Sequence, residues 1–198
     1  MARRATRGYG PRGTSYTEIQ AKKFANQIKE DLQDEIQAQL VGFAEAVVND
    51  LTSNADKGNG VSPVLTGFFA SSWKASRSRV NRTDERQNHP KWARIQYKGN
   101  RLLPGNRPVI ERRHPMETDL RIDKPVFIGN TAKYAPYAVV SPKSKINSYL
   151  QGGSGKLKNK IDRFFTDSPD IRVGGSAQAI PNPDKKAPAE YRISYTKQ

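Results

Sequence analysis

His89 and His114 are the only histidines in this chain of 198 residues, and it contains no cysteine. A disulfide framework, a thiolate metal site and a cysteine nucleophile are therefore excluded. His114 precedes Glu117 and Asp119 closely enough to suggest shared metal ligation, but Pro115 breaks the segment and Arg112 and Arg113 flank it. Ligands there would be poorly fixed, and the neighbouring cations would oppose a metal ion. No nucleophile elbow accompanies the serines, so a Ser-His-Asp triad has no oriented motif behind it. Gly8-Tyr9-Gly10-Pro11-Arg12-Gly13 has the letters of a dinucleotide loop, yet it precedes every expected strand, whereas the mechanism needs a strand before it. At Gly155-Lys156, a phosphate loop would need Gly where Leu150 stands and Ser or Thr where Leu157 stands. No catalytic centre, metal site or cofactor is expected.

The other chemistry on offer is cationic. The formal net charge is +15, and it is unevenly spread. Residues 1–15 carry Arg3, Arg4, Arg7 and Arg12 with no acid, residues 16–56 carry three Lys against eight acids, and residues 74–124 carry 14 basic residues against six acids. Arg77, Arg79 and Arg82, and further on Arg112 and Arg113, join the four N-terminal arginines as candidate partner or phosphate contacts. Trp92 and Tyr97 lie among basic residues where aromatic rings could stack on bases, but aromatics on strands more often pair within a sheet. No RNA-binding or helix-turn-helix signature is present, so base readout is not expected. An acidic segment and a basic segment on one chain also permit copies to meet acidic side to basic side.

The elements that must position these groups follow from periodicity. Phe24, Ile28, Leu32, Ile36, Leu40, Phe43, Val47 and Leu51 recur at steps of three or four, predicting one amphipathic helix from about residue 17 to about 53. At 1.5 Å per residue it would be roughly 55 Å long, so it should bend at Gly42 or pack on a neighbouring copy. Its average step is too long to sustain a coiled-coil heptad. Thr66 is expected to cap a short helix that buries Phe69 and Trp73. Residues 73–80 and 92–97 read as two strands of a hairpin. Residues 98–124 read as a long basic loop, and 126–130 as a short strand. Leu157, Ile161, Phe164 and Phe165 mark a second helix after a glycine-rich tether at 152–155, and Tyr191 to Tyr195 a last strand. The fold class is α+β: two helices on a small, mainly antiparallel sheet in one core domain at 16–165. A flexible basic arm at 1–15 precedes it and a Pro-rich extension at 166–198 follows. No run of apolar residues is long enough to span a membrane.

The junction between the acidic helix and the basic strands reads Pro63-Val64-Leu65-Thr66-Gly67-Phe68-Phe69-Ala70-Ser71-Ser72-Trp73. It resembles the Pro-x-x-Thr-Gly-x-hydrophobic-x-x-Ser-Trp signature of tail-completion and neck proteins of tailed bacteriophages. Some sixty residues on, Val126-Phe127-Ile128-Gly129-Asn130, followed by Tyr134-Ala135-Pro136-Tyr137, resembles the second signature of that family, a strand ending in Asn and then Tyr-Ala-x-Tyr. Its motif residues here are Pro63, Thr66, Gly67, Phe69, Ser72, Trp73, Asn130, Tyr134, Ala135 and Tyr137. Leu65 stands where the family usually has Asp, and Ala138-Val139-Val140-Ser141 replaces its usual acidic residue and Gly.

The resemblance covers about residues 17–165. It implies a non-enzymatic virion protein that forms a homo-oligomeric ring, a hexamer or a dodecamer, at the head–tail junction around the DNA channel. Adjoining neck, connector or tail-terminator proteins would be its partners, with non-specific DNA contact in passing and none with a membrane. Assembly would take place in the host cytoplasm. The alternative reading, from charge alone, is a basic nucleic-acid-binding protein of ribosomal or packaging type.

Overall fold

The computed structural model describes residues 16–54, 60–121, 123–141, 143–151, 156–166, 173–179 and 190–197. The expected basic arm at 1–15 and the glycine tether at 152–155 lie outside them. The eight-residue apolar stripe forms helix α1, Tyr16–Thr52, which continues through Gly42 without a break. The chain divides into two compact units, residues 1–36 and 37–198. In the first, every described side chain from Gln20 to Glu35 is exposed, Phe24, Ile28 and Leu32 included.

The second unit holds the core. Leu40, Ala44, Val47, Val48 and Leu51 of α1 cluster with Phe68, Phe69, Trp73, Ile128, Leu157 and Ile161, all buried. Removing such side chains from water is the main stabilising term of the fold, at about 1.5–3 kcal/mol for each large residue. Helix α2, Phe68–Ser71, leads directly into strand β1, Trp73–Ser76. A 3-10 turn, Arg86–Asn88, precedes helix α3, Pro90–Ala93, and a small hairpin of β2, Tyr97–Lys98, with β3, Arg101–Leu102. Strand β4, Val126–Asn130, is followed by helices α4, Ala135–Val139, α5, Ile146–Gln151, and α6, Lys156–Thr166. Strands β5, Val173–Ala179, and β6, Glu190–Lys197, end the chain. The main sheet has the order β1-β4-β6-β5 and is antiparallel throughout. The class is α+β, as the periodicities predict.

Two local expectations are corrected. Residues 92–97 do not form a strand. Pro90, with φ preset for a first helical turn, starts α3 instead, and Trp92 and Ile95 are buried three apart, which is helical spacing. The partner of β1 is accordingly β4, with Trp73 opposite Asn130 and Ser76 opposite Phe127, so the expected 73–80/92–97 hairpin is absent. Beyond the small β2–β3 hairpin the segment 98–124 is the long loop expected, and it is strapped to the core: Val109 N donates to Thr66 O at 3.0 Å and Arg113 N to Ser71 O at 3.2 Å. Within the expected C-terminal extension, β6 pairs with β4 and β5 inside the sheet, Ile128 lying opposite Tyr191.

Gly67 makes the strap fit. It sits at the N-cap of α2 with φ 89°, and a Cβ there would lie 1.8 Å from Val109 O. Gly67→Ala must therefore push the strap away as well as adopt a left-handed backbone, which alone costs about 1–2 kcal/mol. Thermal denaturation should show a loss larger than that figure; a loss below it would mean the strap yields freely.

Candidate functional site

Both halves of the site are built from the junction outward. Trp73 is fully buried on β1, and its Nε1 donates to Ser62 Oγ at 2.9 Å. Ser62 Oγ in turn donates to Leu51 O near the end of α1. Thr66 Oγ1 accepts from Phe68 N at 3.3 Å, but the N-cap of α2 is Gly67, which has no side-chain cap, so the cap expected at Thr66 is not formed and the threonine braces the turn one residue earlier. Asn130, at the end of β4, is fully buried with both ends of its amide in use. Its Nδ2 donates to Phe69 O at 2.8 Å, and its Oδ1 accepts from Ala132 N at 3.0 Å. Thr131 N donates to Ser72 O at 3.0 Å. The two signatures, far apart in sequence, are thus one hydrogen-bonded unit. A buried amide left without these partners would cost about 1–3 kcal/mol, which accounts for Asn at that position. Ala135 is buried at the start of α4, Pro136 is in the first turn, and Pro63 is half-buried before α2.

Behind α2 lies a polar cluster absent from the sequence reading. The Arg113 side chain is only 5% exposed, and its Nη2 meets Asp84 Oδ2 at 2.8 Å, with Asp84 25% exposed. Nη1 donates to Ser72 Oγ at 2.7 Å, and Nη2 lies 2.7 Å from His89 Nε2. The guanidinium also sits 4.4 Å above the Phe68 ring and 5.5 Å from that of Trp92. His114 Nε2 is 2.9 Å from Thr131 Oγ1 and 3.6 Å from Asp84 Oδ2. Burial pushes the Asp84 carboxyl up, but hydrogen bonds from Thr131 and Arg113 and the Arg113 charge together hold it below the usual range.

Both histidines are held below the ordinary value of 6.5, first by burial and then by the Arg113 charge, against the pull of Asp84; Lys74 adds to the effect on His114. The unfolded chain therefore binds protons more readily than the folded one in this range. Stability should be fully present above about pH 6.5 and fall as the pH drops through that value towards the lower folded pKa values. Melting curves between pH 7.5 and 5 should show this decline, and His114→Asn should flatten it; an unchanged slope would place its cause elsewhere.

Of the five candidate contact residues that are described, Arg77, Arg112 and Arg113 are committed to internal partners. Arg113, expected at a partner or phosphate contact, is buried against Asp84. Arg112 pairs with Glu45 at 2.8 Å and Asn49 at 2.6 Å on α1, and Arg77 pairs with Asp119 at 2.6 Å. Arg79 is exposed and Arg82 half-buried, while Arg3, Arg4, Arg7 and Arg12 lie outside the described residues. His114, Glu117 and Asp119 do not converge: Glu117 binds Lys74, Ser76 Oγ and Arg77 N instead. Among the described residues no group of three His, Cys, Asp or Glu could hold a metal ion. Arg86 donates to the carbonyls of Trp92 and Ile95 at 2.8 and 2.7 Å and so closes the end of α3.

On the outer side of α2 a groove of about 840 Å³ opens, lined by Pro63, Leu65, Tyr97, Tyr134 and Tyr137 among others. Tyr137 is 60% exposed. Arg86, Lys133 and Lys143 stand along it, with Glu85, to which Lys133 is paired at 2.8 Å. The groove is aromatic and cationic, suited to holding an apolar element with carboxylates beside it. Compared with family models, curated proteins and solved structures, the chain matches none. No helix among the described residues is long and apolar enough to cross a membrane.

Proposed function

We propose that this chain is a structural subunit of a phage neck, a tail-completion protein that forms a ring between head connector and tail and carries out no catalysis. The observation that carries the reading is the interlocking of the two signatures through Asn130, Phe69, Thr131 and Ser72. A motif kept for packing would be used in this way. The ionisable groups nearby support it, since Asp84, Arg113 and Glu117 are each engaged by structural partners. The net charge of +15 suits a ring lining a DNA channel, and it also keeps the second reading, a nucleic-acid binder, in play.

Labelling the protein and locating it by electron microscopy on the particles that contain it tests the reading: density at the head–tail junction is expected. Absence from particles, with tight nucleic-acid binding, would favour the second reading. A binder that neutralises many phosphates should lose about 10³–10⁵ in affinity between 50 and 200 mM salt, whereas a neck subunit should bind only weakly and without sequence preference.

A further inference from the structure

Helix α1 carries one apolar stripe along its whole length, but only part of it is covered. Leu40, Val47 and Leu51 are buried, whereas Phe24, Ile28 and Leu32 are 68%, 50% and 42% exposed. Positions 24, 28 and 32 share one helical face with 31 and 35, so that face presents three large apolar side chains beside the carboxylates of Asp31 and Glu35 and carries no lysine. Gln27 Nε2 donates to Asp31 Oδ1 at 2.9 Å and holds that carboxylate on the helix surface. The apolar part spans about 12 Å at 1.5 Å per residue.

The other large exposed apolar side chains among the described residues are Tyr97, Leu103, Tyr134, Tyr137 and Val140. Three of these five, the tyrosines, line the groove beside α2, where the cations Arg86, Lys133 and Lys143 outnumber the one acid, Glu85, which pairs with Lys133. One surface is a convex apolar ridge with acids, and the other a concave aromatic groove with cations.

We propose that the occupant of this groove is the Phe24–Ile28–Leu32 face of α1 from a second copy of the chain, with Asp31 and Glu35 set against the groove cations. Two different patches meet, so the contact is heterologous and repeats head to tail, closing a ring if the rotation permits. Ridge-to-ridge pairing of two α1 helices fits less well, because the near-four-residue step does not sustain a coiled-coil seam and the tyrosines would stay bare. Charge complementarity favours the heterologous contact too, since two ridges would bring carboxylates together. The inference deepens the ring reading and rests on it for closure alone.

The test uses the full chain with one surface blocked at a time. Leu32→Glu blocks the ridge and Tyr137→Glu blocks the groove; both positions are exposed, so each variant should keep the wild-type circular dichroism. By light scattering over a concentration series, the wild type should self-associate, and each variant should do so at least about 30-fold more weakly, as loss of a hot spot requires. An equal mixture of the two should recover dimers and stop there, because only one intact ridge and one intact groove remain. In this cysteine-free protein, Ile28→Cys and Tyr137→Cys should cross-link to each other in a mixture far faster than either does with itself, which gives an independent reading should a charged variant misfold. A wild type that stays monomeric to its solubility limit overturns the proposal. So do a Tyr137→Glu variant that assembles normally, a mixture no better than its parts, and a preference of Ile28→Cys for its own kind. Rings built through some other surface would remove this contact and leave the neck reading intact; the contact in a protein located away from the head–tail junction would do the reverse.

Discussion

Asp84→Asn should destabilise the protein by about 3 kcal/mol, because it leaves the Arg113 guanidinium in the interior without its counter-charge. The substitution hardly changes shape, so packing is not the cause of the loss. Arg113 is the better buried of the pair, and its remaining neighbours, Ser72 Oγ, His89 Nε2 and the faces of Phe68 and Trp92, offer dipoles and quadrupoles but no net negative charge. For a chain of this size the loss corresponds to a fall in melting temperature of roughly 6–12 °C. Adding Arg113→Met to Asp84→Asn should recover much of it, since it removes the uncompensated buried charge and leaves only a neutral amide at the 25% exposed position 84. A methionine can also lie against the same two rings. If the double variant melts no higher than the single one, the guanidinium contributes through its hydrogen bonds to Ser72 and His89, and the ion pair is secondary.

That cluster also marks where sequence reading stops. Asp84 and Arg113 are 29 residues apart, on segments without regular periodicity, and each looks like an ordinary member of a basic, solvated stretch. Nothing local says that a backbone bridge between Asp84 and Ala132 and a strap along Thr66 to Ser71 bring them together. Trp92 misled for a related reason. Its neighbours alternate as a strand's would, but Pro90 and the carbonyl-binding Arg86 favour one helical turn, and a single turn is too short for periodicity to distinguish. By contrast, α1 was legible because eight apolar positions at steps of three or four have no other explanation. Asn130 was singled out only through the resemblance, as the end of the second motif; its two buried hydrogen bonds had no signal of their own. The groove itself was not legible: Tyr134 and Tyr137 stood out only as motif residues, and nothing in the sequence placed Tyr97 beside them.

Trp73→Ala carries the second large effect. The indole is fully buried, meets the Phe69 ring edge to face at 5.7 Å, and lies in the cluster that joins α1, the main sheet and α6. Truncation removes the burial of the largest fully buried side chain and leaves a cavity among elements that are already hydrogen-bonded to one another, so collapse around it is restricted. The expected loss is about 3–5 kcal/mol, or a fall of roughly 6–20 °C in melting temperature. Ser62 adds to it, because its hydroxyl donates to Leu51 O and accepts from Trp73 Nε1, and the alanine variant removes the donor. Trp73→Phe separates the two contributions: it keeps most of the apolar volume but not the N–H, and should cost about 1–3 kcal/mol. In that background Ser62→Ala should be milder than in the wild type, since the hydroxyl no longer has an indole to receive. Equal costs of Ser62→Ala in both backgrounds would mean that Ser62 acts only on Leu51. A Trp73→Ala variant that melted like the wild type would show that the junction is not the core on which both signatures converge.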